Sequence, residues 1–261
     1  MAKGFDCAAP LNAATAKLFA SQGFTFVGRY LAEAGSWKGL SPSEAQLIME
    51  AGLYIVSFFE RYANRVREGA AAGTADGRLA LQYAREVGQP PGSAIYAAVD
   101  YDAPPSDFPA IAAYLEAFDA AIVGYELGVY GSYRVVKAMH ERGLASKLMQ
   151  TYAWSRGLKY DPISIYQYKN DVIVNGIGID YNESNGDAGG WKKGMAILPK
   201  PVLDPGVAQT VINTWIKKSW AEAEAAKQGA TADKILALTE QQKYYNQLAN
   251  ALRDASGLPR E

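Results

Sequence analysis

The sequence is poor in cysteine and histidine, and these two shortages exclude several classes of protein. Cys7 is the single cysteine among 261 residues, so an internal disulfide and a cysteine-rich metal site are both impossible. His140 is the single histidine, and it lies in a helical segment before Glu141 and Arg142, where we expect a surface residue. Nucleophilic catalysis by a Ser–His or Cys–His pair is therefore excluded.

The sequence also lacks an excess of charge and any long apolar run. Its 26 Lys and Arg residues nearly balance its 27 Asp and Glu residues, so the net charge of -1 gives no reason to expect nucleic acid or a membrane as a partner. No apolar run is long enough to span a bilayer, and the N-terminal MAKGFDC shows no secretory signal. We expect synthesis in the cytoplasm, with release by another route if the protein acts on a cell wall.

Hydrophobic residues make up 49% of the chain, and strand and helix patterns alternate along it. This alternation predicts right-handed crossovers and a parallel sheet, and eight strands predict that the sheet closes. The predicted class is α/β, a (β/α)8 TIM-like barrel that is irregular in its last crossovers. An open doubly wound sheet is the alternative, although no Gly-x-Gly-x-x-Gly follows the first strand. The predicted strands are 3–7, 24–31, 53–60, 93–102, 126–132, 148–154, 163–169 and 176–181.

The composition changes after the eighth predicted strand. NESNGDAGGWKKG is rich in glycine and polar residues, and three prolines follow it closely. Apolar residues then recur at helical spacing over 207–227 and 232–255. We therefore predict a barrel at 1–192, a linker at 193–206 and a C-terminal helical hairpin at 207–261.

Polar, charged or aromatic side chains end most of the predicted strands. In a parallel barrel, the carboxyl ends of the strands meet at one mouth, where active sites lie. Alternation along a strand places Asp100 and Asp102 on one face with Tyr96, and Glu60 on one face with Phe58. The strand ends carry Asp6, Arg29, Glu60, Asp100 with Asp102, Tyr130, Trp154, Gln167 or Tyr168, and Asp180.

Clustered carboxylates suit three tasks. They hydrolyse glycosidic bonds when one is protonated and its partner is ionised, they bind hard cations, or they pair structurally with a cation such as Arg29. The aromatic rings near the strand ends mildly support sugar binding, because flat rings with a polar edge match the apolar faces of sugars. Ordinary strand propensity explains such rings as well. The candidate substrate-binding residues are Arg29, Tyr101, Tyr130, Trp154, Gln167 and Tyr168.

Four motifs in order give the chain a family resemblance: GFDCA on the first strand, AVDYD on the fourth, and YQY followed by GIGIDYN at the end. Over residues 3–192 the sequence resembles the glycoside-hydrolase-like domain family once catalogued as a domain of unknown function. That family is related to the family 25 lysozymes, which are muramidases with a barrel of this kind. The resemblance implies a site at Asp6, Asp100, Asp102 and Asp180. The place of the lysozymes' general-acid glutamate is held here by Asp102, which is one methylene shorter.

Three functions follow in order of preference. The first is a lysozyme-like or endolysin-like glycosidase that acts on bacterial cell-wall peptidoglycan, without a cofactor or metal. Asp102 would be the acid with Glu60 as a substitute, Asp100 would stay ionised, and Asp6 and Asp180 would orient the pair. The second is a non-catalytic barrel that binds glycan or cell wall, which the aspartate in place of glutamate motivates. The third is a metal-dependent barrel enzyme. The sequence leaves the oligomeric state open.

Overall fold

A computed structural model describes residues 1–192, 203–256 and 258–259, which form two compact units. The first unit is a closed barrel of eight strands surrounded by helices, so the predicted barrel is confirmed. Its strands are β1 (Ala2–Asp6), β2 (Phe26–Leu31), β3 (Tyr54–Phe59), β4 (Ala94–Ala98), β5 (Glu126–Gly131), β6 (Lys147–Gln150), β7 (Ile165–Val174) and β8 (Ile177–Ser184). Its α-helices are α1 (Ala13–Ser21), α2 (Pro42–Glu50), α3 (Gly69–Glu86), α4 (Phe108–Ala121) and α5 (Tyr133–Glu141).

Side-chain caps begin the first two helices. The Asn12 side chain accepts a hydrogen bond from the Thr15 N–H at 2.9 Å, and α1 follows it. Ser41 Oγ accepts one from the Glu44 N–H at 3.1 Å, and a proline occupies the first position of α2. These caps define where the chain turns from each strand end into the outer helix layer.

The direction of β8 corrects the predicted all-parallel sheet. The strands from β1 to β7 pair in parallel, whereas β8 runs antiparallel to both of its neighbours, β7 and β1. A two-residue turn, Asn175–Gly176, joins β7 to β8, and both residues have positive φ angles of 53° and 77°. This is the geometry that Asn-Gly favours in hairpins whose twist matches the strands. The link from β6 to β7 contains no helix, in keeping with the predicted irregularity.

Alternation along the strands separates the barrel interior from the helix layer as predicted. Val56, Phe58 and Tyr96 pack inside the barrel, whereas Ile55 and Ile95 pack against the helices. At the amino end of β3, Trp191 forms a strand-like bridge with Ile55, and its indole N–H donates to Ser57 Oγ at 2.9 Å. The chain that follows β8 therefore covers this end of the barrel, and the carboxyl ends of the parallel strands form the mouth.

The second unit is helical. It contains α6 (Pro205–Val211), a π-helical turn at Ile212–Ile216, α7 (Lys217–Ala225) and the long α8 (Ala232–Ser256). Ile212, Ile216 and Ala249 form a small buried cluster between the two arms of the predicted hairpin. The predicted linker at 193–206 lies outside the described residues except for 203–206, as do residues 257, 260 and 261 of the predicted hairpin. In the described part of the chain, no helix has the length and hydrophobicity needed to cross a membrane.

Arg29 is a structural residue, and its prediction as a substrate-binding residue is wrong. It shares the outward face of β2 with Val27 and Leu31, and it is fully buried. Its guanidinium donates to both oxygens of Glu44 at 2.8 and 3.1 Å and to the Cys7 carbonyl at 2.6 Å. This bidentate pair links the end of β1, β2 and α2, and the hydrogen bonds of Arg29 go to these elements of the fold.

We predict that Glu44→Ala lowers the free energy of unfolding by about 3–5 kcal/mol, because it leaves a buried guanidinium without its counter-charge. Urea denaturation followed by circular dichroism measures the change. Glu50→Ala is the matched control on the exposed face of the same helix, and we expect a change within about 0.5 kcal/mol. Equal effects from the two variants would contradict a structural role for the Arg29–Glu44 pair.

Candidate active site

Four carboxylates from four strands face one another at the mouth of the barrel. Asp6 ends β1, Glu60 follows β3, Asp100 follows β4, and Asp180 lies within β8. Asp6 and Asp180 are direct partners in the β1–β8 pairing. Asp100 adds like charge to the surroundings of both, and Glu60 does so for Asp100. The structure therefore brings together four of the five residues that the sequence predicts as catalytic.

Amide side chains hold the Asp6–Asp180 pair in place. Gln167 Nε2 donates to Asp6 Oδ2 at 3.0 Å and to Asp180 Oδ2 at 3.1 Å, so that one amide bridges two carboxylates. Asn182 Nδ2 donates to Asp6 Oδ2 at 2.7 Å. Thr151 Oγ1 donates to Gln167 Oε1 at 2.6 Å, which orients the bridging amide. Gln167 is thus a buried positioning residue rather than an exposed contact for substrate.

Burial and like charge favour the protonated forms of these acids. Burial, followed by the charge of Asp180, raises the pKa of Asp6 to about 7, although hydrogen bonds from Asn182 and Gln167 oppose the shift. Burial raises the pKa of Asp100, and the nearby charge of Glu60 raises it further. Burial also raises the pKa of Asp180. The site therefore contains three aspartates with raised pKa values, and that of Asp6 reaches about 7.

Two tyrosines line the cluster. Tyr130 OH donates to Asp100 Oδ1 at 3.3 Å, in keeping with its predicted place in the site. Burial raises the pKa of Tyr30 well above its ordinary value, and the charges of all four carboxylates add to that shift. Tyr30 therefore lies within electrostatic reach of the whole cluster and stays a neutral hydroxyl.

Lys38 supplies a positive charge beside the cluster. Its Nζ forms an ion pair with Glu60 Oε2 at 2.9 Å and lies 4.8 Å from the centre of the Tyr30 ring. It comes from the long loop between β2 and α2, so neither strand alternation nor a strand end predicts it. The ion pair places a positive charge next to Glu60 and close to Asp100, where it opposes the rise in the pKa of Asp100.

Asp102 lies at the edge of the cluster rather than within it. β4 ends at Ala98, so strand alternation no longer governs the direction of residue 102. The Asp102 side chain is 45% exposed, and Arg134 Nη2 lies 3.7 Å from its Oδ1. Unlike Glu60, it is not among the charges that shift the pKa of Asp100.

Two predicted substrate contacts point away from the mouth. Tyr101 OH donates to Asp107 Oδ2 at 2.9 Å, and the ring packs against the outer core. The Tyr168 ring makes a tilted contact with the Tyr181 ring, and the Tyr181 ring stacks on Phe24 in the helix layer. Tyr101 follows the end of β4, and Tyr168 lies on the outward face of β7, so the structure brings neither ring to the carboxylate cluster. Trp154 is 37% exposed in the loop after β6.

Sequence reasoning missed Lys38, Tyr30 and Asn182 as members of the site. Asn182 had a readable signal, because it lies two residues beyond Asp180 on the same face of a strand and belongs to the GIGIDYN motif. Its Oδ1 is buried without a hydrogen-bond partner. Among the residues that the structure describes, no three His, Cys, Asp or Glu side chains form a group that would hold a metal ion.

Comparison with known proteins places this geometry in a family. A family model described as "Rv2525c-like, glycoside hydrolase-like domain" matches residues 17–237, which extends beyond the barrel into the second unit. The Tat-secreted protein Rv2525c of Mycobacterium tuberculosis, solved in complex with L-tartrate, is 25% identical with a TM-score of 0.67. The alignment covers 73% of this chain and 98% of that one.

Two further relatives bear on the fold and on the extent of the match. The spore cortex lytic enzyme SleM of Clostridium perfringens shares the fold, with a TM-score of 0.50 and 9% identity over 71% of this chain and 68% of that one. The protein FadG of Bacillus subtilis is 31% identical over 133 residues, which are 47% of this chain and 23% of that protein. The chain thus spans less than a quarter of the length of this curated relative. The family match and the barrel together confirm the resemblance seen in the strand motifs: the chain belongs to the Rv2525c-like, glycoside hydrolase-like family.

Proposed function

We propose that the protein hydrolyses glycosidic bonds in bacterial cell-wall peptidoglycan. The observation that carries this proposal is that Asp6 and Asp100, whose pKa values are raised, lie at the barrel mouth close to Glu60, which forms an ion pair with Lys38. Glycoside hydrolysis needs this combination, because one acid protonates the leaving oxygen while an ionised partner stabilises positive charge on the sugar. Membership of a glycoside hydrolase-like family and a fold shared with a spore cortex lytic enzyme support a cell-wall polysaccharide as the substrate.

Asp100 is the proton donor in this proposal. Burial and the charge of Glu60 raise its pKa, and the hydrogen bond from Tyr130 holds its orientation. Glu60, which forms an ion pair with Lys38, is the partner carboxylate that stabilises positive charge on the sugar. These roles differ from those expected from the sequence, where Asp102 is the acid and Asp100 the ionised partner. Asp102 is exposed and lies beside Arg134 at the edge of the cluster, away from the carboxylates that surround Asp100.

Asp6 and Asp180 support the pair from the floor of the site. The Gln167 amide donates to both of them. The two carboxyl groups therefore titrate as a coupled pair. A protonated Asp6 adds no negative charge next to Asp100, whereas an ionised Asp6 raises the proton affinity of the donor. In this arrangement the two floor residues tune the donor and do not contact the bond that is cleaved.

A second candidate function is glycan binding without cleavage. The observation that favours it is the exposed Asp102 at the position where the related lysozymes have their general-acid glutamate. If no other carboxyl group replaces that acid, the mouth keeps its shape and hydrogen-bond acceptors but transfers no proton to the leaving group. The same variants distinguish the two functions.

We predict that Asp100→Asn lowers the rate of peptidoglycan clearing by about 100-fold or more, since a general acid contributes about 10²–10⁴-fold. Asparagine keeps an acceptor for Tyr130 and removes the proton. We expect Asp102→Asn to retain activity to within about tenfold, because its carboxylate is not the donor. A turbidity assay on purified cell walls measures both rates.

Glu116→Gln, an exposed change on α4, is the control for handling and folding. If only Asp102→Asn lost the clearing activity, Asp102 would be the proton donor, and the role proposed for Asp100 would be wrong. A wild-type protein that binds walls but does not clear them between about pH 4 and pH 8 would favour the binding function.

We predict that Asp6 makes stability fall with rising pH. Between about pH 4 and pH 7 the folded protein keeps the Asp6 proton that the unfolded chain releases, so ionising this buried group decreases the free energy of unfolding as pH rises. The shift from 3.8 to about 7 corresponds to about 4 kcal/mol, fully present below pH 4 and lost above pH 7. Asp6→Asn cannot titrate at this position, so its stability relative to wild type should improve by about that amount from pH 4 to pH 8.

Urea denaturation at several pH values measures this difference, and Glu116→Gln serves again as a control with no pH-dependent change relative to wild type. A constant difference between Asp6→Asn and wild type across this range would show that Asp6 titrates as an ordinary carboxyl group.

A further inference from the structure

Large aromatic side chains lie uncovered on two loops at the mouth of the barrel. Trp37 is 73% exposed in the loop after β2, and Tyr152 and Trp154 are 56% and 37% exposed in the loop after β6. In a closed barrel of eight strands, β2 and β6 are four places apart in either direction. The two loops therefore stand on opposite sides of the mouth, with the carboxylate cluster between them.

The Trp37 loop is attached to the carboxylate site on its own side. Lys38, the next residue, forms the ion pair with Glu60 and lies over Tyr30. The loop then returns to β2, where the Leu40 N–H donates to the Tyr30 carbonyl at 2.8 Å. These contacts hold the base of the Trp37 side chain next to the site while its ring remains open to solvent.

The opposite loop is attached through the amide network. Thr151 donates to Gln167, which bridges Asp6 and Asp180, and Ser155 Oγ donates to the Thr151 carbonyl at 2.6 Å. Between them, Trp154 adopts a φ angle of 57°, a left-handed conformation that is uncommon for a bulky residue. Such a conformation is retained where the surroundings determine it, and it occurs preferentially at ligand-binding sites.

We propose, on the basis of the proposed function, that Trp37 on one side and Tyr152 with Trp154 on the other are two platforms for a polysaccharide chain that lies across the mouth. Sugar rings stack by their apolar faces on the exposed aromatic rings, and their hydroxyl groups donate to the acceptor-rich cluster between the platforms. A chain held on both sides of the cluster is cleaved or bound within its length. The ligand is therefore an oligosaccharide segment that is longer than a disaccharide.

Binding of chitin and peptidoglycan oligosaccharides, measured by calorimetry, tests the platforms. Trp37→Ala and Trp154→Ala are compared in the Asp100→Asn background, so that the ligand is not consumed. We expect each change to weaken the binding of a hexasaccharide by about tenfold, the value of one good aromatic contact. Together they should weaken it by about 100-fold, because distant sites add. A disaccharide reaches one platform only, so at most one of the two changes should weaken its binding.

Trp215→Ala is the matched control, since Trp215 is 60% exposed in the helical unit. Circular dichroism checks that every variant folds. The platforms are overturned if no oligosaccharide binds, if Trp37→Ala matches Trp215→Ala, or if disaccharide and hexasaccharide lose the same affinity in both variants. Failure of the proposed function is a separate result: platform-dependent binding by a wild-type protein that clears no cell wall rejects catalysis and retains the platforms.

Discussion

The antiparallel pairing of β8 between β7 and β1 is the constraint on which the barrel and its site depend. It closes the sheet, and it sets Asp180 directly opposite Asp6. β8 runs from the mouth into the barrel after the Asn175–Gly176 turn. Asp180 therefore lies in the carboxylate cluster, and Asn182 lies deeper, where it donates to Asp6. The chain after β8 then continues to the opposite end of the barrel, where Trp191 packs under β3. One strand thus builds the floor of the site and leads into the closure of the other end.

The filled interior below the mouth helps to raise the pKa values of the aspartates at the mouth. The interior beneath the mouth is filled by apolar rings such as Phe58 and Tyr96, so water does not reach Asp6 from below. Removal of water disfavours the charged form of a carboxyl group, and a neighbouring carboxylate disfavours it further. The side-chain amides of Gln167 and Asn182 donate hydrogen bonds to Asp6, which replace part of its hydrogen bonding to water but add no positive charge. The raised pKa of Asp6 therefore lowers the stability of the fold as the pH rises toward neutrality.

Strand alternation predicted which way several side chains of this site point. It failed for a residue beyond the end of its strand, and it was not applied to a residue on the outward face of a strand. It placed Asp6, Glu60 and Asp180 correctly because each lies on or beside a strand whose inward residues are apolar. Asp102 lies beyond the end of β4, so loop conformation decides its direction. Arg29 lies on the same face of its strand as Val27 and Leu31, and this spacing could have predicted that it points outward. The Asn-Gly pair at 175–176 could have predicted a hairpin and therefore the antiparallel direction of β8. Lys38 had no such signal, since a long loop delivers it and only the folded chain brings it to Glu60.

Lys38 brings a positive charge to a cluster of like charges. It stands next to Trp37 in the chain, it forms an ion pair with Glu60, and its charge lowers the pKa of Asp100, which burial and the charge of Glu60 raise. Burial and like charge act on Asp100 in the same direction, so Lys38 opposes both of them. Because Lys38 belongs to the loop that carries the exposed Trp37 ring, the electrostatic balance at Asp100 depends on a loop as well as on the barrel strands.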